Sequence, residues 1–342
     1  MAFGKLNPPA GLKVPDSRLF QPRFPWLGGD LQTLRNFLLR PRHRLDDWPA
    51  RRLELALRDG SGDRLVAQLH RPRQEARELV VLLHGLTGCE DSIYIRASAA
   101  FWLARGFSVL RLNLRGAGPS RPLCSDQYHA GRSGDLLDAL LALRDDFGVD
   151  FDAGLYLVGY SLGANMMLRF LAEEGVNLGV TAAASISAPI DLKAAQVRLM
   201  HPRNWVYHRF LLNGMRAEAL ATPRSLSTAE RAAIVGADSV FAYDDRVIAP
   251  RSGFAGADDY YRICSGLRFL PAIKTPTLMV HAKDDPWIPS QAYEQFDWAA
   301  HPALSLRLTE AGGHVGFHGR DRQAAWHDLA AGNFFDAIAS SL

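Results

Sequence analysis

Ser161 stands at the centre of Gly159-Tyr160-Ser161-Leu162-Gly163, a five-residue stretch built to present a nucleophile. An apolar run at 155–158 precedes it and a helical stretch begins at Leu162. The order is therefore strand, sharp turn, helix. Such a turn strains the serine backbone and lifts one hydroxyl above the end of the strand. Glycines flank it because side chains there would collide where strand and helix meet. A serine hydroxyl is a weak nucleophile until a neighbouring base takes its proton, and a histidine base needs a carboxylate to orient it. The five residues alone also fit an inert turn made of small side chains, so the rest of the chain must supply the partners.

In an elbow of this kind the partners follow in the order serine, acid, histidine, and both must lie after Ser161. Of His301, His314, His318 and His327, the choice is His314. It sits in Ala311-Gly312-Gly313-His314-Val315-Gly316-Phe317, just after the last strand, where glycines let a loop reach over the sheet edge. His327 falls on a closing helix and His301 precedes a strand, so both read as surface or structural residues. Asp284 and Asp285 follow the strand 277–280. Folds of this kind often place the acid four residues before a proline, here Pro289, which selects Asp285. Asp284 remains the competing carboxylate, with capping of its own turn as its other reading. An oxyanion needs two donors. The backbone N–H of Leu162 is one, and that of Leu86, in His84-Gly85-Leu86-Thr87-Gly88, is the other. His84 precedes the serine and reads as structural, its ring fixing that loop from below. His314 and His318 could pair on a metal only from a helix, which four nearby glycines preclude, so no metal is expected.

The elements that must position these residues alternate along the chain. Strands are expected at 52–57, 64–70, 79–83, 108–112, 155–158, 182–186, 277–280 and 304–308, the first two joined by the Gly-rich turn 59–62. Helices are expected at 98–105, 135–147, from Leu162 to the glycine at 175, at 291–300 and from Gln323. Strands alternating with helices argue for α/β with a mostly parallel eight-stranded sheet and helices on both faces. The serine elbow makes the expected fold class an α/β-hydrolase fold, and the break in alternation after the sixth strand falls where hydrolases of that fold carry a helical cap insertion. The expected division is an irregular N-terminal arm at 1–51, a core at 52–189, a cap at 190–271 and the rest of the core at 272–342.

Composition bounds the remaining classes. The chain has 342 residues, 39 Lys or Arg against 36 Asp or Glu, and a net charge of +3, too mild to argue for nucleic acid. Three cysteines, Cys89, Cys124 and Cys264, suit reduced thiols and a cytoplasmic location. Residues 1–51 show no signal-peptide h-region, and no segment is apolar enough to span a bilayer, although contact with a membrane surface stays open. Arg115-Gly116-Ala117-Gly118-Pro119-Ser120 lacks the third glycine of a dinucleotide turn, and no Walker A sequence occurs, so no NAD, ATP or other cofactor is expected.

Trp26-Leu27, Leu31-Gln32-Thr33-Leu34, His84-Gly85-Leu86-Thr87-Gly88, the serine elbow, Asp244-Asp245-Arg246, Gly253-Phe254, Tyr260-Tyr261, Asp284-Asp285-Pro286 and Gly312-Gly313-His314-Val315-Gly316-Phe317 together resemble the YheT-like α/β-hydrolases. That group is related to eukaryotic abhydrolase-domain lipases and fungal medium-chain ester synthases. The resemblance implies a triad of Ser161, Asp285 and His314 acting on carboxylic esters, including acylglycerols. Two positions depart from the pattern. Asp30 stands where the family usually has histidine, which bears on how the arm packs near the cap. Gly60-Ser61-Gly62-Asp63 is looser than the usual Asp-Gly-Asp. The eukaryotic relatives' membrane anchor is not found here.

Within the insertion, Asp244-Asp245-Arg246 and Asp258-Asp259-Tyr260-Tyr261 read as helix caps and cap packing in preference to substrate contacts. Trp205, Tyr207 and Phe210 suit an acyl pocket or ordinary cap core equally. Arg198, Arg203, Arg209 and Arg216 read as a solvated face, with attraction to anionic lipid as the lesser reading. The expected function is a serine esterase for short- to medium-chain esters or acylglycerols. The alternatives are acyl transfer to an alcohol, action on thioesters or amides, and a catalytically silent binding protein.

Overall fold

The computed structural model describes residues 20–72, 78–320 and 324–341. Its frame is one sheet of eight strands: β1 (Ala50–Ala56), β2 (Arg64–His70), β3 (Leu79–Leu83), β4 (Ser108–Leu112), β5 (Leu155–Tyr160), β6 (Val180–Ile186), β7 (Thr277–Ala282) and β8 (Leu304–Thr309). They lie in the order β1-β2-β4-β3-β5-β6-β7-β8. The β1–β2 hairpin joins the sheet through an antiparallel β2–β4 pair, and all later pairs are parallel. Strands buried on both faces read as continuous apolar runs, which is how β3 (Leu-Val-Val-Leu-Leu) appears in the sequence.

The twofold alternation divides that apolar content between two cores. Leu79, Val81, Leu83, Leu155, Leu157 and Met279 face α3 (Ser133–Asp145) and α4 (Leu162–Glu173). Val80, Leu82, Tyr156, Val158, Leu278 and Val280 face α2 (Ile93–Ala104) and α12 (Trp326–Ala339). Between β6 and β7 the chain leaves the sheet for α5 (Leu192–Met200), α6 (Trp205–Leu220), α7 (Thr228–Gly236), α8 (Val240–Tyr243), α9 (Ala249–Arg251) and α10 (Ala257–Cys264), with one π-helical turn (Asp244–Ile248) joining α8 to α9. These helices share an apolar cluster of their own that includes Leu211, Met215, Val240, Tyr260 and Tyr261.

The N-terminal arm differs from expectation. It is not irregular throughout, because α1 (Gly29–Leu39) crosses the strand ends near the serine. Residues 1–19 of the expected arm, and the expected helix start at Gln323, lie outside the described residues. The helix expected at 291–300 is broken: α11 covers Gln291–Gln295 and a separate 3₁₀ turn covers Trp298–Ala300.

The Gly-rich hairpin turn also has a definite task. Arg115, just beyond β4, is buried and holds Asp135 with two hydrogen bonds of 2.8 and 2.9 Å. The same guanidinium holds Asp63 at 2.9 Å and Asp59 at 2.6 Å, both from the hairpin turn region. Removing one partner from such a buried set costs about 3–5 kcal/mol, since it leaves uncompensated charge. The stretch that began like a phosphate loop is thus spent on tying β4 to the hairpin.

Candidate active site

All the candidate residues lie in loops that leave the carboxyl ends of parallel strands, where this kind of sheet places its ligands. Ser161 follows β5 at the sheet centre, between β3 and β6. Its φ of 50° and ψ of −122° are the strained geometry expected of an elbow. The flanking glycines are required by contact: a Cβ on Gly159 would lie 2.6 Å from Ala164 Cα, and one on Gly163 would lie 2.2 Å from the His84 carbonyl oxygen.

His314 Nε2 lies 2.9 Å from Ser161 Oγ, and His314 Nδ1 lies 2.8 Å from Asp285 Oδ2. A proton on Nδ1 donates to the carboxylate and leaves Nε2 to accept from the serine hydroxyl. Asp285 is fully buried, and its Oδ1 accepts from the backbone N–H groups of Trp287 and Ile288. Burial pushes its pKa up, but the adjacent His314 and those amides outweigh burial and hold the carboxyl below the ordinary range. The His314 ring stacks on Trp287 at 4.3 Å between centroids, which fixes the plane from which Nε2 points at the serine.

Asp284 does not cap its own turn alone. Its Oδ1 accepts from Gly313 N–H at 2.8 Å, so it braces the loop that carries His314. Burial leads the causes that raise its pKa, with the Asp285 charge adding to them. His301 and His327 stand apart from the serine. His327 is buried against Tyr160 and Phe317, a core residue and not a surface one, and His318 turns its Nδ1 toward Arg35. Among the described residues no three His, Cys, Asp or Glu side chains converge as a metal site needs.

The loop after β3 is held open by hydroxyls. Tyr94 accepts from Gly85 N–H at 2.9 Å, and Tyr128 accepts from Thr87 N–H at 2.6 Å. Between them the N–H of Leu86 has no partner among the described residues, nor has that of Leu162. Gly85 itself abuts the serine, since a Cβ there would lie 2.9 Å from Ser161 Cβ. His84 accepts from Leu114 N–H through Nε2 and donates through Nδ1 to the Gly85 carbonyl. Burial brings its pKa down to about 4, so it stays a neutral strut under the loop.

The arm shows what Gln32 and Thr33, of the motif at 31–34, hold in place. Gln32 is buried, donates to the His318 carbonyl and accepts from His318 N–H. Thr33 accepts from His314 N–H at 2.8 Å while donating to the Gly29 carbonyl. Helix α1 therefore clamps the histidine loop from outside. Gln32→Leu is expected to lower kcat by about 10- to 100-fold with little change in KM, because small misplacements of a reacting group cost that much. Steady-state kinetics beside a thermal melt separates this loss from simple unfolding.

A cavity of about 390 Å³ opens at Ser161 and His314 and runs under the cap helices, within the range of small-molecule sites. Leu86, Leu199, Leu211, Met215 and Val240 make it apolar, and Phe210 lines it as well. Tyr207 instead bonds Asp30, and Trp205 points to solvent. Asp245 and Asp259 bond nearby backbone amides, as helix caps should. Asp244, Tyr260 and Tyr261 line the cavity, which the capping reading did not anticipate. Tyr261 donates to Asp244 at 2.6 Å, and burial raises the Asp244 carboxyl to about 7.

A family model described as the alpha/beta hydrolase fold matches residues 78–321. The chain belongs to the α/β-hydrolase fold family. It is YheT-like within that family: YheT of Escherichia coli is 36% identical over 253 residues, which cover 73% of this chain and 72% of YheT. Medium-chain fatty acid ethyl ester synthase/esterase 2 of Saccharomyces cerevisiae is 27% identical over 297 residues, covering 78% of this chain but 64% of that protein. Among solved structures, an esterase of Pyrococcus furiosus superposes with a TM-score of 0.58 over 84% of this chain and 91% of its own, at 17% identity. That last likeness is one of fold. For this α/β-hydrolase, no helix among the described residues is long and apolar enough to cross a membrane.

Proposed function

We propose that this α/β-hydrolase is a serine esterase acting on carboxylic esters of short- to medium-chain acids or acylglycerols, with Ser161, His314 and Asp285 as its triad. The observation that carries the reading is the unbroken line of hydrogen bonds from Ser161 through His314 to Asp285, at 2.9 and 2.8 Å, on the wall of an apolar cavity. In this reading Ser161 Oγ attacks the ester carbonyl while His314 Nε2 takes its proton, then hands that proton to the leaving alcohol. Asp285 keeps the imidazole in the working tautomer and stabilises the imidazolium. The N–H groups of Leu86 and Leu162 receive the oxyanion, each donor worth about 3 kcal/mol of barrier. Water activated by the same histidine releases the acid.

The helical segment 190–271 acts as a cap over the acyl chain, and the described part of the arm, from residue 20 to 51, docks on the core on either side of it. Free thiols at Cys89, Cys124 and Cys264 fit a cytoplasmic enzyme. Acyl transfer to an alcohol uses the same groups, and the yeast relative's name joins synthase to esterase. The deciding experiment incubates the protein with p-nitrophenyl esters and monoacylglycerols of graded chain length, with and without ethanol. Free acid as the main product supports the esterase, whereas ethyl ester outpacing acid would make it a transferase. Failure to react with a fluorophosphonate probe would favour a silent binding protein.

A further inference from the structure

Exposed large apolar side chains are normal when scattered, but here they are gathered. Of the thirteen found among the described residues, eleven belong to the arm between Phe24 and Leu39 or to α5 and α6. Trp205, Val206 and Phe210 are 62%, 67% and 56% exposed. With Arg209 they fall at the i, i+1, i+4, i+5 spacing that marks one face of α6. Across from them α1 exposes Leu31, Phe37 and Leu38. The two helices touch: Phe37 meets Phe210 edge to face at 6.0 Å, and Asp30 bonds both Arg203 and Tyr207. Phe37 and Phe210 also line the cavity that reaches Ser161, so this apolar face surrounds its mouth.

Charge on the same two segments is as one-sided as the apolar content. Residues 24–45 and 192–220 contain nine Lys or Arg and two acids, Asp30, already paired with Arg203, and the partly buried Glu218. The whole chain carries only +3, so the remainder is net acidic. The cations are mixed into the apolar face: the Arg40 guanidinium lies over the Phe37 ring at 5.7 Å, and that of Arg209 over Trp205 at 5.7 Å. Aromatic rings at a polar–apolar boundary, with arginines keeping their charge at its outer side, match the surface of a lipid layer and its headgroups.

We propose that the joined outer faces of α1 and α6 dock on an anionic lipid surface, so that the cavity mouth opens toward the acyl chains it draws in. This deepens the esterase reading and rests on it for the identity of the cavity as the substrate site. A second copy of the chain would bury the apolar residues equally well, but, with Arg44, Lys193 and Arg203 paired with Asp46, Asp258 and Asp30, it would still bring the remaining cations together, and an anionic surface neutralises these instead. The esterase reading then concerns substrates taken from a membrane or micelle.

Sedimentation with sucrose-loaded vesicles tests the docking without any turnover, using both wild-type protein and Ser161→Ala. With phosphatidylcholine alone, weak partition is expected. With 30% phosphatidylglycerol, about a tenfold rise is expected at low salt, falling as salt screens the headgroups. Arg198→Glu with Arg209→Glu should lose most of that gain. Trp205→Ser with Val206→Ser should weaken partition on both vesicle types, with the thermal melt held as the check on folding. No partition by wild type, or variants that partition as wild type does, overturns the proposal. So does a concentration-dependent dimer that Trp205→Ser with Val206→Ser abolishes. Because Ser161→Ala binds whether or not the chain is an esterase, a failed docking and a failed esterase assignment give different results.

Discussion

Ser161→Ala is expected to reduce kcat on a p-nitrophenyl ester by about 10⁶-fold, with KM within a few-fold of wild type and the melt nearly unchanged. The size follows from how little the other groups can do once the hydroxyl is gone. His314 Nε2 is aimed at Ser161 Oγ, 2.9 Å away, and has no second nucleophile set at that distance. What survives comes from binding in the cavity and from the Leu86 and Leu162 donors, about 10³-fold over water. Stability is spared because serine and alanine bear the same penalty at φ 50°, and the serine hydroxyl supports no other part of the fold. Intact-mass analysis after fluorophosphonate treatment is the direct check. One adduct on wild type and none on Ser161→Ala is expected; an adduct that persists in the variant would move the nucleophile elsewhere.

The parts of this site legible in the sequence are those set by local rules. A buried parallel strand must read as an apolar run, and a serine elbow must have small flanking residues, so β3, β5 and Ser161 stand out in one dimension. His314 follows because glycines mark the loop and because the fold dictates chain order. What stayed hidden is held by contacts between distant segments. Helix α1 lies in a stretch rich in Pro and Arg, and its Leu31, Leu34 and Leu38 spacing is the only sign of it; much of its order comes from Gln32 binding His318, 286 residues away. The N-terminal half of α2 reads Ile93-Tyr94-Ile95, a strand-like composition that packing on the sheet overrides. The hydroxyls of Tyr94 and Tyr128, which hold the loop after β3, have no sequence signature at all. Asp30 was visible as a departure from pattern, but its partners Arg203 and Tyr207 appear only when arm and cap meet.

Two adjacent carboxylates with opposite surroundings give the second large effect. Asp285→Asn is expected to lower kcat by about 10⁴-fold, because an amide facing His314 Nδ1 donates where the carboxylate accepts. The imidazole then carries its proton on Nε2 and cannot take one from Ser161. Asp284→Asn should cost less than tenfold, since the asparagine oxygen can still accept from Gly313 N–H. The stability profiles should diverge with pH in a way that mere damage to the loop would not produce. The Asp285 pKa is held below its ordinary value near 3.9, so its ionised form favours the fold. That contribution is fully present above about pH 4 and disappears as the pH falls through the depressed value. Asp285→Asn should therefore lower the melting temperature more at pH 7 than at pH 3. Asp284 has the opposite sign: its pKa is raised by burial, so its ionisation opposes the fold and is felt once the pH passes the raised value. Asp284→Asn should accordingly fare better relative to wild type at pH 7 than at pH 3. Kinetics and melts of both variants at the two pH values decide the assignment. A larger kcat loss in Asp284→Asn would make Asp284 the acid, and Asp285 a brace for the backbone of Trp287 and Ile288.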